Sequence, residues 1–153
     1  MGYTFYMDTE VVVQYLKQRF PVGTKVVIGA SSTFHKEVEA LINALRKAGF
    51  EVLATVSSPL ANPVQEYPKV HKEFFEALNK AQVYLVVNLE KHGVPGYIGA
   101  GVFLEIGYVV TNNVLGKSNI KVVLVNPPRS KCAQDELDLW YKLGWYEVIN
   151  KGG

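Results

Sequence analysis

Four short aliphatic runs set the limits on how this chain folds: residues 25–30 (KVVIGA), 50–56 (FEVLATV), 83–88 (VYLVVN) and 120–125 (IKVVLV). Each is nearly continuous in apolar residues. Residues 25–30 in particular read as a buried strand, and the others as further strands of the same sheet. Between the runs lie segments of helical period. Val12, Tyr15, Leu16 and Phe20 share a face in residues 8–20, with Asp8 or Thr9 as cap. Val38, Leu41, Ile42 and Leu45 do so in residues 34–48, with Thr33 as cap. Pro21-Val22-Gly23, Gly49 and Gly116 are stop signals. The stretch 57–67 holds Pro59 and Pro63 and reads as a loop, so Pro68 is expected to open a helix to residue 80. Helices over 99–115 and 133–143, and a short strand over 145–149, complete the pattern.

Strands alternating with helices predict an α/β fold with a parallel sheet covered on both faces. Five strands at this spacing suit a flavodoxin-like, Rossmann-like three-layer sandwich of order 2-1-3-4-5. Residues 1–24 form an N-terminal helical extension and residues 25–153 the domain proper. In this strand order the first and third strands are neighbours, and ligands bind beyond their C-terminal ends. The loop Gly29-Ala30-Ser31-Ser32 is thereby brought beside residues 88–98.

Composition narrows the partners. A net charge of +2 on 153 residues gives no footprint for a nucleic acid polymer or an anionic membrane. No apolar run is long enough to span a bilayer. The single cysteine, Cys132, forms no internal disulfide, and the N-terminus lacks a basic leader, so a cytoplasmic setting is expected. His35, His71 and His92 show no metal-ligand spacing, and neither a metal nor a cofactor is expected.

The chemistry concentrates in residues 93–108, GVPGYIGAGVFLEIGY. A glycine-rich loop enters a helix apolar on nearly every side, which predicts burial, with one carboxylate, Glu105, inside it. Such a carboxylate shifts its pKa or holds something specific. Helical side chains lean toward the N-terminus, so Glu105 is expected to face the glycine loop, over the bare Gly101 one turn earlier. A structural ion pair with an Arg or Lys is the competing reading. Gly29–Ser32 offers N–H groups and hydroxyls to an anion such as a phosphate, and serves equally well as a plain turn and cap. His35 follows in the first helical turn. Asn88 and Tyr97 lie in or beside the third-strand loop, and the Tyr97 ring suits stacking on a base or sugar. Two apparent nucleotide motifs fail. Gly116-Lys117-Ser118 precedes a strand and lacks the earlier glycine, with Thr111 in its place. Gly99-Ala100-Gly101 is followed by Leu104 where the dinucleotide fingerprint has glycine or alanine.

The arrangement strand–GYIGAGVFLEIGY–helix–Gly-Lys–strand resembles the nucleoside 2-deoxyribosyltransferase-like superfamily, which includes the 2'-deoxynucleoside 5'-phosphate N-hydrolases. The resemblance spans roughly residues 25–126 and is sharpest at the glycine loop, Glu105 and Gly107-Tyr108. It implies cleavage or transfer at the N-glycosidic bond of a small-molecule nucleoside or nucleotide. Glu105 would be the nucleophile, and Gly29, Ser31, Ser32, His35, Asn88, Gly96, Tyr97, Gly99 and Gly101 substrate contacts. Glu90, His35 and Tyr97 are candidates for the acid that protonates the leaving base. The chain departs from that family in having no Asp between Asp8 and Asp135. The alternative is therefore a non-catalytic nucleotide-binding or sensing protein on the same fold. The apolar 99–115 helix, with Phe74, Phe75, Trp140, Tyr141 and Trp145, implies a homo-oligomer.

Overall fold

The computed structural model describes residues 7–56 and 58–151. Five strands form one parallel sheet: β1 (Lys25–Ala30), β2 (Glu51–Ala54), β3 (Val83–Val87), β4 (Lys121–Leu124) and β5 (Glu147–Val148). Their order is β2-β1-β3-β4-β5, the flavodoxin-like arrangement expected from the alternation of elements. Five helices cover it: α1 (Thr9–Arg19), α2 (His35–Lys47), α3 (Pro63–Leu78), α4 (Ala100–Val114) and α5 (Gln134–Lys142).

The two faces of the sheet carry two cores. Val26, Ile28, Leu85, Val87 and Val123 meet α1 and α2 through Leu16, Val38, Leu41 and Leu45. Val27, Tyr84, Val86, Val122 and Leu124 meet α3, α4 and α5 through Leu78, Ile106, Val109 and Leu137. All five residues of β3 are buried, so its aliphatic run is explained by cover on both sides. No helix among the described residues is long and apolar enough to cross a membrane.

Several local expectations shift. Asp8 caps α1, its Oδ1 accepting from the backbone of Glu10 and Val11 at 3.1 and 3.3 Å. Thr33 is not a cap. Ser31 accepts from the Thr33 N–H at 3.4 Å and opens a 3-10 turn, Ser32–Phe34, that leads into α2. α3 starts five residues before Pro68. Pro63 takes the first-turn position, where a missing N–H costs nothing. Pro68 then sits inside a stretch, residues 61–69, that is wholly exposed, where a lost backbone bond is open to water. α4 is not buried all round. Val102, Ile106, Val109 and Val110 face the sheet, while Leu104 stays 53% exposed because a helix lying on a sheet is covered on one side only. Residues 1–6 of the N-terminal extension, and residue 57 of the expected loop, lie outside the described residues.

The ends of β3 and β4 are joined by two asparagines. The Asn88 Nδ2 donates to the Asn126 carbonyl at 2.7 Å, and the Asn126 N–H donates to the Asn88 Oδ1 at 3.0 Å. The Asn126 Nδ2 returns a bond to the Asn88 carbonyl at 2.9 Å. Both residues are buried. We expect Asn88→Ala to orphan the buried Asn126 N–H and carbonyl and to cost about 3 kcal/mol, measured by chemical denaturation.

Candidate functional site

Glu105 lies in the second turn of α4 and faces a cavity of about 250 Å³ at the C-terminal edge of β1 and β2. The floor comes from Gly29 and Ser32, one side from Thr55, and the far wall from the α3 side chains Tyr67, His71, Phe74 and Phe75. That wall is a run of rings. His71 sits 5.3 Å from Tyr67 and 4.6 Å from Phe75, and Phe75 meets Tyr108 edge-on at 5.0 Å. Such faces and edges suit a planar ligand.

Glu105 has no cationic partner among the described residues, where the ion pairs are Arg19–Glu147, Lys69–Glu73 and Lys72–Glu76. Its neighbour is a phenol. The Tyr84 hydroxyl donates to the Glu105 Oε1 at 2.5 Å. Tyr84 projects from β3 on the same face as Val27 and Gly29 of β1, in a register that pairs Val27 with Tyr84 and Gly29 with Val86. A Cβ at Gly29 would collide with the Tyr84 hydroxyl, so the glycine leaves the room that the phenol fills. Burial, together with the Glu105 charge, pushes the Tyr84 pKa well above the usual tyrosine value. The phenol therefore stays protonated and acts as a donor. Burial raises the Glu105 pKa to about 7, with the Tyr84 bond pulling the other way. A carboxyl at such a value exchanges its proton near neutrality, as acid–base sites require, while attack on carbon uses its ionised form.

The residues expected at the site separate into groups. Gly29, Ser32 and Glu105 share the cavity just described. Tyr97 and Gly99 line a second one of about 440 Å³, with Phe103, Arg129 and Lys131, and the two sets of lining residues do not overlap. The loops after β1 and β3 do meet at one edge, where Lys91 Nζ donates to the Ser31 Oγ at 2.8 Å. Asn88 spends its side chain on the β4 end, as above. Gly96 has φ +69° and no space for a Cβ against the Pro127 carbonyl, so the turn itself requires it. The His35 Nδ1 sits 3.0 Å from the Ser32 carbonyl oxygen. Gly101 is open to space with nothing near a built Cβ. Among the described residues no three His, Cys, Asp or Glu side chains cluster as metal ligands do.

Sequence reasoning missed Tyr84 and the α3 wall. Tyr84 was legible as the one polar side chain inside VYLVV, a strand that otherwise has no use for a hydroxyl. A helix opening at Pro68 already carries His71, Phe74 and Phe75, and leaves only Tyr67 of the wall in a loop. Thr55, whose Oγ1 is buried at the cavity edge with no partner among the described residues, gave no signal in sequence. Comparison with protein-family models, with curated proteins and with solved structures gives no match to this chain.

The raised Glu105 pKa fixes the sign of a pH effect. Between the unfolded value of 4.5 and the folded value of about 7, the native state holds a proton that the unfolded chain has lost. Stability from this group is thus complete below 4.5 and falls as pH rises through the window to about 7. We expect a fall of at most about 3 kcal/mol across that range in thermal or urea unfolding. Glu105→Gln should flatten it without lowering stability at pH 8, since no buried cation is left behind.

Proposed function

We propose that this chain cleaves, or exchanges the base across, the N-glycosidic bond of a nucleoside or nucleotide, with Glu105 as the nucleophile. The observation that carries the reading is the state of Glu105: a carboxyl without a counter-charge among the described residues, bonded to Tyr84 through one oxygen, in a cavity walled by aromatic rings. The resemblance of residues 99–108 to the deoxyribosyltransferase-like pattern supports the same assignment.

In the first step the Glu105 Oε2 bonds to C1' of the sugar as the C1'–N bond breaks and its electron pair leaves with the base. His71, which lines the same cavity, supplies the proton to the departing nitrogen. This replaces Glu90, which is not among the cavity's lining residues, and His35 and Tyr97, which are also absent from them. In the second step water attacks C1', His71 takes the water proton, and the ester bond breaks to restore the carboxylate. A second base in place of water gives exchange.

Release of free base from 2'-deoxynucleosides and their 5'-monophosphates, read by chromatography, tests this. Wild type is expected to release base, and Glu105→Gln to bind the same compounds while releasing none. A specific observation favours a second reading. Among the described residues Glu105 is the one carboxylate lining the cavity, whereas glycoside hydrolysis commonly uses two. Binding without base release by wild type would select a nucleotide-binding protein.

The exposed apolar side chains on α4, on α5 and in the turn after α5 support self-association. Leu104, Leu139, Tyr141, Leu143 and Trp145 are all well exposed. Light scattering is expected to give at least a dimer at micromolar concentration, and a stable monomer would remove this part of the proposal.

A further inference from the structure

We infer that Tyr84 is a positioning residue for Glu105, fixing the carboxyl so that one oxygen is held and the other is presented to the cavity, and that Gly29 serves that bond by giving the phenol its place. This rests on the reading of Glu105 as nucleophile only where turnover is measured.

Three observations converge. The Tyr84 hydroxyl reaches across from β3 to α4 and meets Oε1 at 2.5 Å, while no hydrogen bond falls on Oε2 among the described residues. The phenol ring is fully buried between β1, β4 and the helices, so it has one place to go. Any side chain at Gly29 would occupy the space of its hydroxyl. A glutamate has three side-chain torsions, and most of their freedom is lost on burial. The bond from a rigid strand supplies the orientation, which a flexible neighbour such as lysine would not. It also favours the ionised carboxyl over the protonated one, since a phenol donates to the charged form.

The groups facing Glu105 are few. From α3 they are Tyr67 and His71, and from β3 Tyr84. Among the described residues, β1, β2 and the loop after β2 contribute no titratable side chain to the cavity. α5 meets α4 through Trp140, which stacks on Phe103 and lies where a side chain at Gly107 would meet it. Tyr108, one turn on, donates to Asn79 instead.

The decisive measurement is the titration of the Glu105 side-chain carbon in ligand-free protein labelled with 13C-glutamate, the signal assigned by its loss in Glu105→Gln. Tyr84→Phe removes only the hydroxyl and keeps the ring. Its Glu105 midpoint is expected to rise by about one unit above wild type. Gly29→Ala displaces the same hydroxyl from the opposite side and is expected to raise the midpoint too. An unchanged midpoint in folded Tyr84→Phe overturns the inference, whatever Gly29→Ala does. Kinetics supply a second readout with a 2'-deoxynucleoside as probe. Tyr84→Phe should lower kcat about tenfold or more with KM little changed, and move the acidic limb of the pH profile upward. Equal kcat and an unmoved limb overturn the positioning role. Wild type without base release would remove the proposed function, and the titration would still decide the Tyr84 bond.

Discussion

Strand β3 never meets water, and it carries a tyrosine. Every residue from Val83 to Val87 is buried, so the one hydroxyl in the strand must find its hydrogen bond inside the protein. The available acceptor is Glu105 on α4. A central strand and a covering helix are thereby tied at one point by a polar bond within an aliphatic layer of Val27, Val86, Ile106 and Val109. That bond needs Gly29 on the neighbouring strand, needs α4 to enter at one rotation, and brings a carboxyl to the rim of the sheet. Fold and candidate chemistry meet there because each would be strained without the other: the phenol would be orphaned, and the half-buried carboxyl would have nothing to hold it.

The sheet order was readable because the strand signal is simple. Runs such as IKVVLV have no polar face, so they are central and parallel, and the intervening 3.6-residue periods supply the crossovers. Helix limits were less legible where two residues competed for one role. Both Pro63 and Pro68 suit a helix start, and only the backbone decides that Pro63 opens α3. That one choice concealed Tyr67 as part of a helix, and with it the outer end of the aromatic wall formed with His71, Phe74 and Phe75.

The site was legible in its centre and not at its edges. Glu105 stands out because a charge in an apolar helix needs a cause. Its surroundings do not stand out, since the cavity wall comes from α3 and from Thr55, which lie thirty to fifty residues earlier and show only ordinary helix and loop patterns. Asn88 illustrates the reverse problem. Polarity at the end of a buried strand reads as ligand binding, yet a parallel sheet leaves backbone groups unpaired where its strands end, and a buried amide is a compact way to satisfy them. Sequence alone does not separate an amide that serves the chain from one that serves a guest.

The stacking of Phe103 on Trp140 has an optical consequence. The ring planes are nearly parallel, 3° apart in tilt and 5.4 Å between centroids, and Phe103 is two residues from Glu105 on the same helix. Indole emission depends on what packs against the ring. The chain has only two tryptophans, and Trp145 lies beyond the end of α5. A shift of α4 by a fraction of an ångström therefore alters the immediate environment of one of two native fluorophores, giving the helix that bears the carboxyl a built-in spectroscopic gauge.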